Sequence, residues 1–147
     1  MKRSEVRSFV KSGVDALTNS VEFGSGLLTY FNSDRNHDYP AVFFETSDMS
    51  ASIDVPKSMP LDTWTIRLHI ADKDKVDSIP DQYEEIIDRM DEIAQKLIFK
   101  YNAIVSGYKD VAIESVNREP FVRKHSDCVS GVILSFDLIV PDKTNNC

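Results

Sequence analysis

The sequence predicts an α+β fold in which a single mixed or antiparallel sheet is covered on one face by one long and one short helix. Three observations lead to this prediction. Apolar residues recur at helical spacing from Ser78 to Gly107, segments on both sides of that stretch alternate apolar and polar residues, and 41% of the 147 residues are hydrophobic. We therefore expect residues 1–147 to form one domain with its own core.

A short amphipathic helix is predicted from Ser4 to Leu17, because its spaced apolar residues fall on one face. Gly13 weakens this helix by up to about 1 kcal/mol relative to alanine, so we expect it to depend on packing against the rest of the domain. Next, the segment from Asn19 to Ser25 has the composition of a turn, and the apolar residues from Leu27 to Phe31 are compatible with a short strand.

Two strands are predicted before the long helix, from Ala41 to Ser47 and from Thr63 to Ala71. Strict alternation in the second predicts one buried and one open face. Between them lie four alternating apolar residues, Met49, Ala51, Ile53 and Val55. Their spacing favours either another strand or an extended arm within residues 47–60.

The long helix is predicted from Ser78 to Gly107, with Ser78 as N-cap, Pro80 in the first turn and Gly107 as the left-handed residue that ends it. About 25 residues at 1.5 Å each span close to 40 Å, which is enough to cover a sheet. Its apolar stripe should pack on one face of the strands. The predicted core residues are Trp64, Ile66, Leu68, Ile86, Met90, Ile93, Leu97, Leu134, Phe136 and Leu138.

After the long helix, strands are predicted from Val111 to Val116 and from Gly131 to Val140. The connection from Asn117 to Ser130 is long for a hairpin turn and contains Pro120. We therefore expect either strands that extend past the sheet or a protruding loop. Residues 141–147 have the composition of a short polar tail.

The sheet face that the helices leave uncovered is predicted to carry both charged and apolar residues. Its expected members are Phe43, Glu45, Arg67, His69, Glu114, Ile133, Ser135, Asp137 and Ile139. Such a mixture is typical of a surface covered by another subunit, and cross-strand pairing accounts for its charges. The alternative is a small enzyme in which the polar members of this face serve as acid, base and anchor.

Motifs for catalysis and cofactor binding are absent, including the phosphate-binding, dinucleotide-binding, serine-hydrolase and zinc-protease patterns. His125 and Cys128 form one His-x-x-Cys pair without a second paired motif, so we expect no metal site and no cofactor. Two cysteines do not make a disulfide framework, which indicates a reducing compartment. No apolar run reaches the roughly 18 residues needed to cross a bilayer. A net charge of -7 disfavours wrapping duplex DNA. We therefore expect a protein that is not an enzyme and has no membrane partner.

Four segments together carry a resemblance to a known class of proteins. They are YPAVFFET (39–46), DTWTIRLHIADKD (62–74), IPDQYEEIIDRMDEIAQKLIFKYNAIVSGYK (79–109) and GVILSFDLIVPD (131–142). With an N-terminal helix before them in a small acidic chain, this layout resembles the tail-terminator and tail-completion proteins of tailed bacteriophages. It is also similar to small virion proteins of crAss-like phages.

The resemblance implies a structural virion protein, made in the bacterial cytoplasm and located in the neck or tail of the particle. Proteins of this type form homo-oligomeric rings that join head to tail, contact other neck or tail proteins and leave a channel through which DNA passes. The acidic net charge suits passage without binding. A small cytosolic adaptor that binds one protein partner is the main alternative.

The expected subunit interface combines the alternating segment, the uncovered sheet face and a basic stretch beside Phe121. Loops and edges on a rigid scaffold are where binding is usually placed, and an alternating segment can add a strand to a neighbour's sheet. The candidate interface residues are Met49, Ala51, Ile53, Val55, Arg67, His69, Phe121, Arg123, Ile133 and Asp137.

Overall fold

The computed structural model of the chain describes residues 2–18, 21–26, 40–45, 50–54, 61–73, 80–108, 110–124 and 129–141. These residues form an α+β fold with a single mixed sheet and two helices, one long and one short, as the sequence predicts. The elements in chain order are α1 (Arg3–Asp15), β1 (Glu22–Gly26), β2 (Ala41–Glu45), β3 (Ser50–Asp54), β4 (Leu61–Lys73), α2 (Pro80–Val105), β5 (Ala112–Lys124) and β6 (Val129–Pro141).

The sheet has the strand order β1-β2-β4-β6-β5, with β3 beside β4. β1 runs parallel to β2, and every other pair is antiparallel. β2 and β3 pair with successive parts of one edge of β4, since β2 lies opposite residues 68–71 and β3 opposite residues 61–65. On its other edge β4 pairs with β6 over its whole length. The β4–β6 pair is therefore the centre of the sheet.

Both helices cover the same face of the sheet. The main core joins the apolar stripes of α1 and α2 to alternating residues of β2, β4 and β6. All ten core residues predicted from the sequence are buried in this cluster, which confirms the predicted orientation of α2. Burying apolar surface contributes about 25 cal/mol per Å², so the burial of this core is the dominant stabilising term of the fold.

The contact between the two helices is built around Tyr101. The centroid of its ring lies 5.0 Å from that of the Phe9 ring and 5.3 Å from that of the Phe136 ring. Its hydroxyl donates a hydrogen bond of 2.9 Å to the carbonyl of Val10. A Cβ atom at Gly13 would lie 2.1 Å from Tyr101 Cε1. Gly13 therefore weakens α1 locally but allows α1 to approach α2 closely.

The end of α2 differs from the prediction. The backbone N–H groups of Gly107 and Tyr108 bond to carbonyls three residues earlier, at 3.3 Å and 2.9 Å, so the last turn is tightened. Gly107 does not adopt the left-handed conformation; Asp110, with φ 66°, does so before β5. Aspartate tolerates this region better than most residues, because its short side chain can bond locally. The predicted N-cap, Ser78, lies outside the described residues.

The prediction of a turn from Asn19 to Ser25 is wrong for its second part, because Glu22–Gly26 forms the edge strand β1. Two glycines disfavour a strand locally, but pairing with β2 supplies the backbone partners. Gly24 also makes room for a neighbour, since a Cβ there would lie 3.1 Å from the Phe43 ring. The predicted strand from Leu27 to Phe31 lies outside the described residues.

β5 is much longer than predicted, and the expected loop from Asn117 onward is largely strand. Of the two alternatives, extended strands are realised, although β4 accompanies β6 along the whole hairpin. Register shifts occur between Glu114 and Asn117 and between Phe121 and Lys124, and Ser115 in the first has φ 56°. Pro120 is compatible with β5 because β5 is an edge strand.

The alternating segment also forms a strand within the domain. Ser50–Asp54 pairs antiparallel with residues 61–65 of its own chain, so the strand alternative holds for these five residues rather than an arm extended away from the domain. Residues 47–49 and 55–60, and the predicted tail from residue 142 onward, lie outside the described residues.

Candidate functional site on the open sheet face

The face of the sheet opposite the helices, called the open face below, is where the sequence places the candidate functional residues. Its members occupy alternate positions of β2, β4, β5 and β6, because side chains in a strand point to opposite faces in turn. The open face divides into an apolar half that is buried within the single chain and a polar half that is partly exposed.

The apolar half forms a second hydrophobic cluster, separate from the core under the helices. Its members are Ala41, Phe43, Ala71, Phe121, Val129 and Ile133, none more than 4% exposed. Gly131 lies among them, opposite both Ala71 and Phe121 in the ladder. This half of the open face is therefore already covered without any partner.

A buried histidine–carboxylate pair borders the apolar half. His69 Nε2 lies 3.2 Å from Glu45 Oε2, and the two side chains are only 5% and 13% exposed. The His69 ring also meets the Phe121 ring edge-on, with 6.5 Å between centroids. A pair in this setting ties β2 to β4, because the low local dielectric strengthens its hydrogen bond.

The polar half lies toward the other end of β4 and β6. The Thr65 hydroxyl donates a hydrogen bond of 2.9 Å to Asp137 Oδ1, and Arg67 lies opposite Ser135. Glu114 lies directly opposite Asp137 on β5. Two carboxylates at facing positions repel each other, and the Thr65 bond offsets part of that cost. These side chains are half-buried, except for the exposed Glu114.

The polar residues do not converge on one point. His69 pairs with Ile133 on β6, and Asp137 follows Ile133 by four residues, or about 13 Å of strand. His69 and Glu45 therefore form one local pair, and Thr65 and Asp137 form another. Within the described ranges, no three or more His, Cys, Asp or Glu side chains are grouped as metal ligands require.

The ten predicted interface residues fall into four groups. Met49 and Val55 lie outside the described residues. Ala51 and Ile53 belong to β3, opposite Trp64 and Asp62 of β4, and Arg123 belongs to the end of β5. His69, Phe121 and Ile133 are each 4% exposed, which makes them part of the buried half. Arg67 and Asp137 therefore remain as predicted residues on the partly exposed half.

Sequence reasoning missed a set of exposed apolar side chains. Within the part of the chain that the structure describes, four large ones are exposed: Phe99 by 80%, Tyr108 by 64%, Val122 by 47% and Val116 by 45%. The exposure of Phe99 can be predicted from the sequence, because this residue falls on the helix face opposite the apolar stripe. Val116 and Val122 lie within the two register shifts of β5, which no periodicity indicates.

A cleft lies between α2 and β5, called the α2–β5 cleft below. Its volume is about 440 Å³, and it is lined by Ile87, Asp88, Asp91, Val116, Asn117, Arg118, Pro120 and Val132. A salt bridge of 2.8 Å between Arg118 Nη1 and Asp91 Oδ2 joins the two elements that border it. The cleft thus combines apolar side chains with charged groups, as binding surfaces do.

None of the helical segments in the described residues has the length and apolar character needed to span a bilayer. Neither a protein-family model nor a curated protein sequence matches the chain.

Proposed function

We propose that the chain is a structural virion protein, a subunit of a ring in the head-to-tail connector or tail of a tailed bacteriophage. In this role it joins head to tail and lets DNA pass through the centre. Its partners are further copies of itself and other neck or tail proteins. The supporting observation is the layout, a mixed sheet with one long and one short helix on one face. The sequence predicts this architecture, and the resemblance to tail-terminator proteins is carried by the same order of segments.

The net charge of the chain supports a role in which DNA passes without binding. The chain carries 24 acidic and 17 basic residues, for a net charge of -7. A ring of such subunits repels the phosphate backbone, so a DNA strand in its channel meets no counter-charge that would hold it.

The strand edges support lateral contacts at β3 rather than at β5. β5 carries Pro120, two register shifts and several charged residues, all of which oppose pairing with another strand. β3 has none of these features apart from Asp54, and among the described strands only β4 pairs with it. In the proposed ring, β3 therefore offers its second edge to a neighbouring subunit.

A stop codon in the gene for this chain, within the phage genome that carries it, tests the proposal. We expect filled heads and tails that remain unjoined, and rescue when the intact chain is supplied in trans. Mass spectrometry of purified wild-type particles should detect the chain at several copies per particle. Intact infectious particles from the stop mutant, or wild-type particles without the chain, would refute the proposed function.

A matched pair of variants tests the open face within that role. Asp137→Arg reverses a half-buried charge that accepts the Thr65 hydrogen bond, whereas Asp15→Arg reverses a 62%-exposed charge on α1. Both proteins should keep the helical circular dichroism of the wild type. We expect only the Asp137 variant to be excluded from particles, and equal incorporation of both variants would argue against the open face as a subunit contact.

A further inference from the structure

Phe99 and the α2–β5 cleft are complementary features at different places on the same chain. Phe99 is 80% exposed and stands on the solvent face of α2. The cleft has a volume of about 440 Å³ and includes the apolar side chains of Ile87, Val116 and Val132. That volume lies within the range of roughly 300–1,000 Å³ typical of binding pockets, which is ample for one aromatic ring.

Phe99 cannot fill the cleft of its own chain. From α2 the cleft is lined by Ile87, Asp88 and Asp91, which lie eight to twelve residues before Phe99 on the same helix, and this separation corresponds to roughly 12–18 Å along the axis. A rigid helix holds the two features apart. The ring can therefore reach a cleft of this kind only on another molecule.

The charges along α2 favour another copy of the chain as that molecule. The first part of the helix, residues 81–92, has six acidic residues and one arginine, whereas residues 93–105 have two lysines and no acidic residue. Asp88 and Asp91 of the first part line the cleft with Arg118, which pairs with Asp91, so the lining carries two acidic groups and one basic group. Lys96 lies one turn before Phe99. The surroundings of Phe99 and of the cleft are thus opposite in sign.

We propose that Phe99 of one copy inserts into the α2–β5 cleft of a second copy, with the lysine-bearing part of one α2 against the acidic part of the other. The ring packs on Ile87, Val116 and Val132, and Lys96 faces Asp88. Because the two contact surfaces differ, the contact can continue head to tail from copy to copy. As a ring contact it rests on the proposed virion function, but purified protein alone is enough to test it.

Sedimentation velocity of the purified full-length chain provides the first test. Wild-type protein should associate in a concentration-dependent way, and added salt should weaken the association because part of it is electrostatic. Phe99→Glu and Val116→Glu should each weaken self-association at least about tenfold, since each places a charge in a desolvated apolar contact.

Two exposed residues outside the cleft provide matched controls. Tyr108→Glu adds the same charge as Phe99→Glu at a 64%-exposed position, and Val122→Glu matches Val116→Glu at 47% exposure. Both control variants should associate like the wild type. All four variants should melt cooperatively and within a few degrees of the wild type, which separates loss of contact from loss of fold.

Mixing the two contact variants is the decisive experiment. The Phe99→Glu chain keeps an intact cleft and the Val116→Glu chain keeps an intact phenylalanine, so the mixture should form heterodimers at concentrations where each variant alone is monomeric. A monomeric wild type up to about 1 mM, a range that includes weak specific contacts, would overturn the inference. Equal weakening by the control variants, or a monomeric mixture, would overturn it as well. None of these results bears on the virion role, which is tested separately by the composition of purified particles.

Discussion

At the scale of single residues, Tyr101 illustrates how one side chain joins both helices to the sheet. It is fully buried, it contacts aromatic rings on α1 and β6, and its hydroxyl reaches a backbone carbonyl of α1. A buried phenol needs such an acceptor, because an unpaired hydroxyl in the core costs about 1–3 kcal/mol. The opposing glycine in α1 is part of the same contact.

Gly13→Ala tests that contact. Alanine raises helix propensity by about 1 kcal/mol, but its Cβ would lie 2.1 Å from Tyr101 Cε1. The Tyr101 ring is held by its neighbours, so we expect a net loss of about 1–3 kcal/mol in urea denaturation. Ser8→Ala, at an exposed site of α1, should change stability by less than about 0.5 kcal/mol. A Gly13→Ala protein as stable as the wild type would contradict the close approach.

Tyr101→Phe tests the burial of the phenol through its pH dependence. Burial raises the pKa of Tyr101 well above its ordinary value of 10.0, so the folded state favours the neutral form. That contribution to stability is complete below pH 10 and is lost as the pH rises above it, because the unfolded chain then releases a proton that the folded chain retains.

The free energy of unfolding should therefore fall more steeply above pH 10 for the wild type than for the Tyr101→Phe protein. At neutral pH the substitution should cost about 1 kcal/mol, for the lost hydrogen bond to Val10. Tyr108→Phe, at an exposed tyrosine, should keep the wild-type slope. Parallel curves for the wild type and Tyr101→Phe would contradict a buried neutral phenol.

At the scale of elements, two glycines allow close approaches within the sheet. A Cβ at Gly131 of β6 would lie 1.9 Å from the carbonyl oxygen of Ile70 in β4, and backbone atoms cannot move aside as a side chain can. At Gly24 of the edge strand β1, the nearest atom is in the Phe43 ring, at 3.1 Å. The neighbour of Gly131 is therefore rigid backbone, whereas the neighbour of Gly24 is a side chain that can shift.

Gly131→Ala should destabilise the protein by about 3 kcal/mol or more, whereas Gly24→Ala should cost less than about 1 kcal/mol. Thermal denaturation followed by circular dichroism measures both changes. Similar melting temperatures for the two variants would show that the β4–β6 ladder accommodates a side chain at residue 131, contrary to the geometry described here.

At the scale of the whole molecule, the acidic net charge should determine how the protein meets nucleic acid. In a gel-shift experiment with duplex DNA at low salt, we expect no retardation, because a chain with net charge -7 releases few counterions on contact. A basic protein of similar size is the positive control. Retardation that disappears as salt is added would contradict the proposed passage of DNA without binding.

The apolar spacing of the sequence is enough to define the fold class, the long helix and the core. A stripe of period 3.6 and strands of period 2 each have one way to bury their apolar face, so the ten predicted core residues are indeed buried. Local pattern also places Arg67 and Asp137 on the open face, where the ladder shows them.

Other features depend on which strands meet. β1 contains two glycines and becomes a strand through its pairing with β2, and β5 continues through Pro120 because β6 supplies its ladder. The same origin accounts for three further features: the division of the open face, the register shifts that expose Val116 and Val122, and the cleft beside α2. They arise from contacts between residues far apart in the chain, and a local pattern carries no information about such contacts.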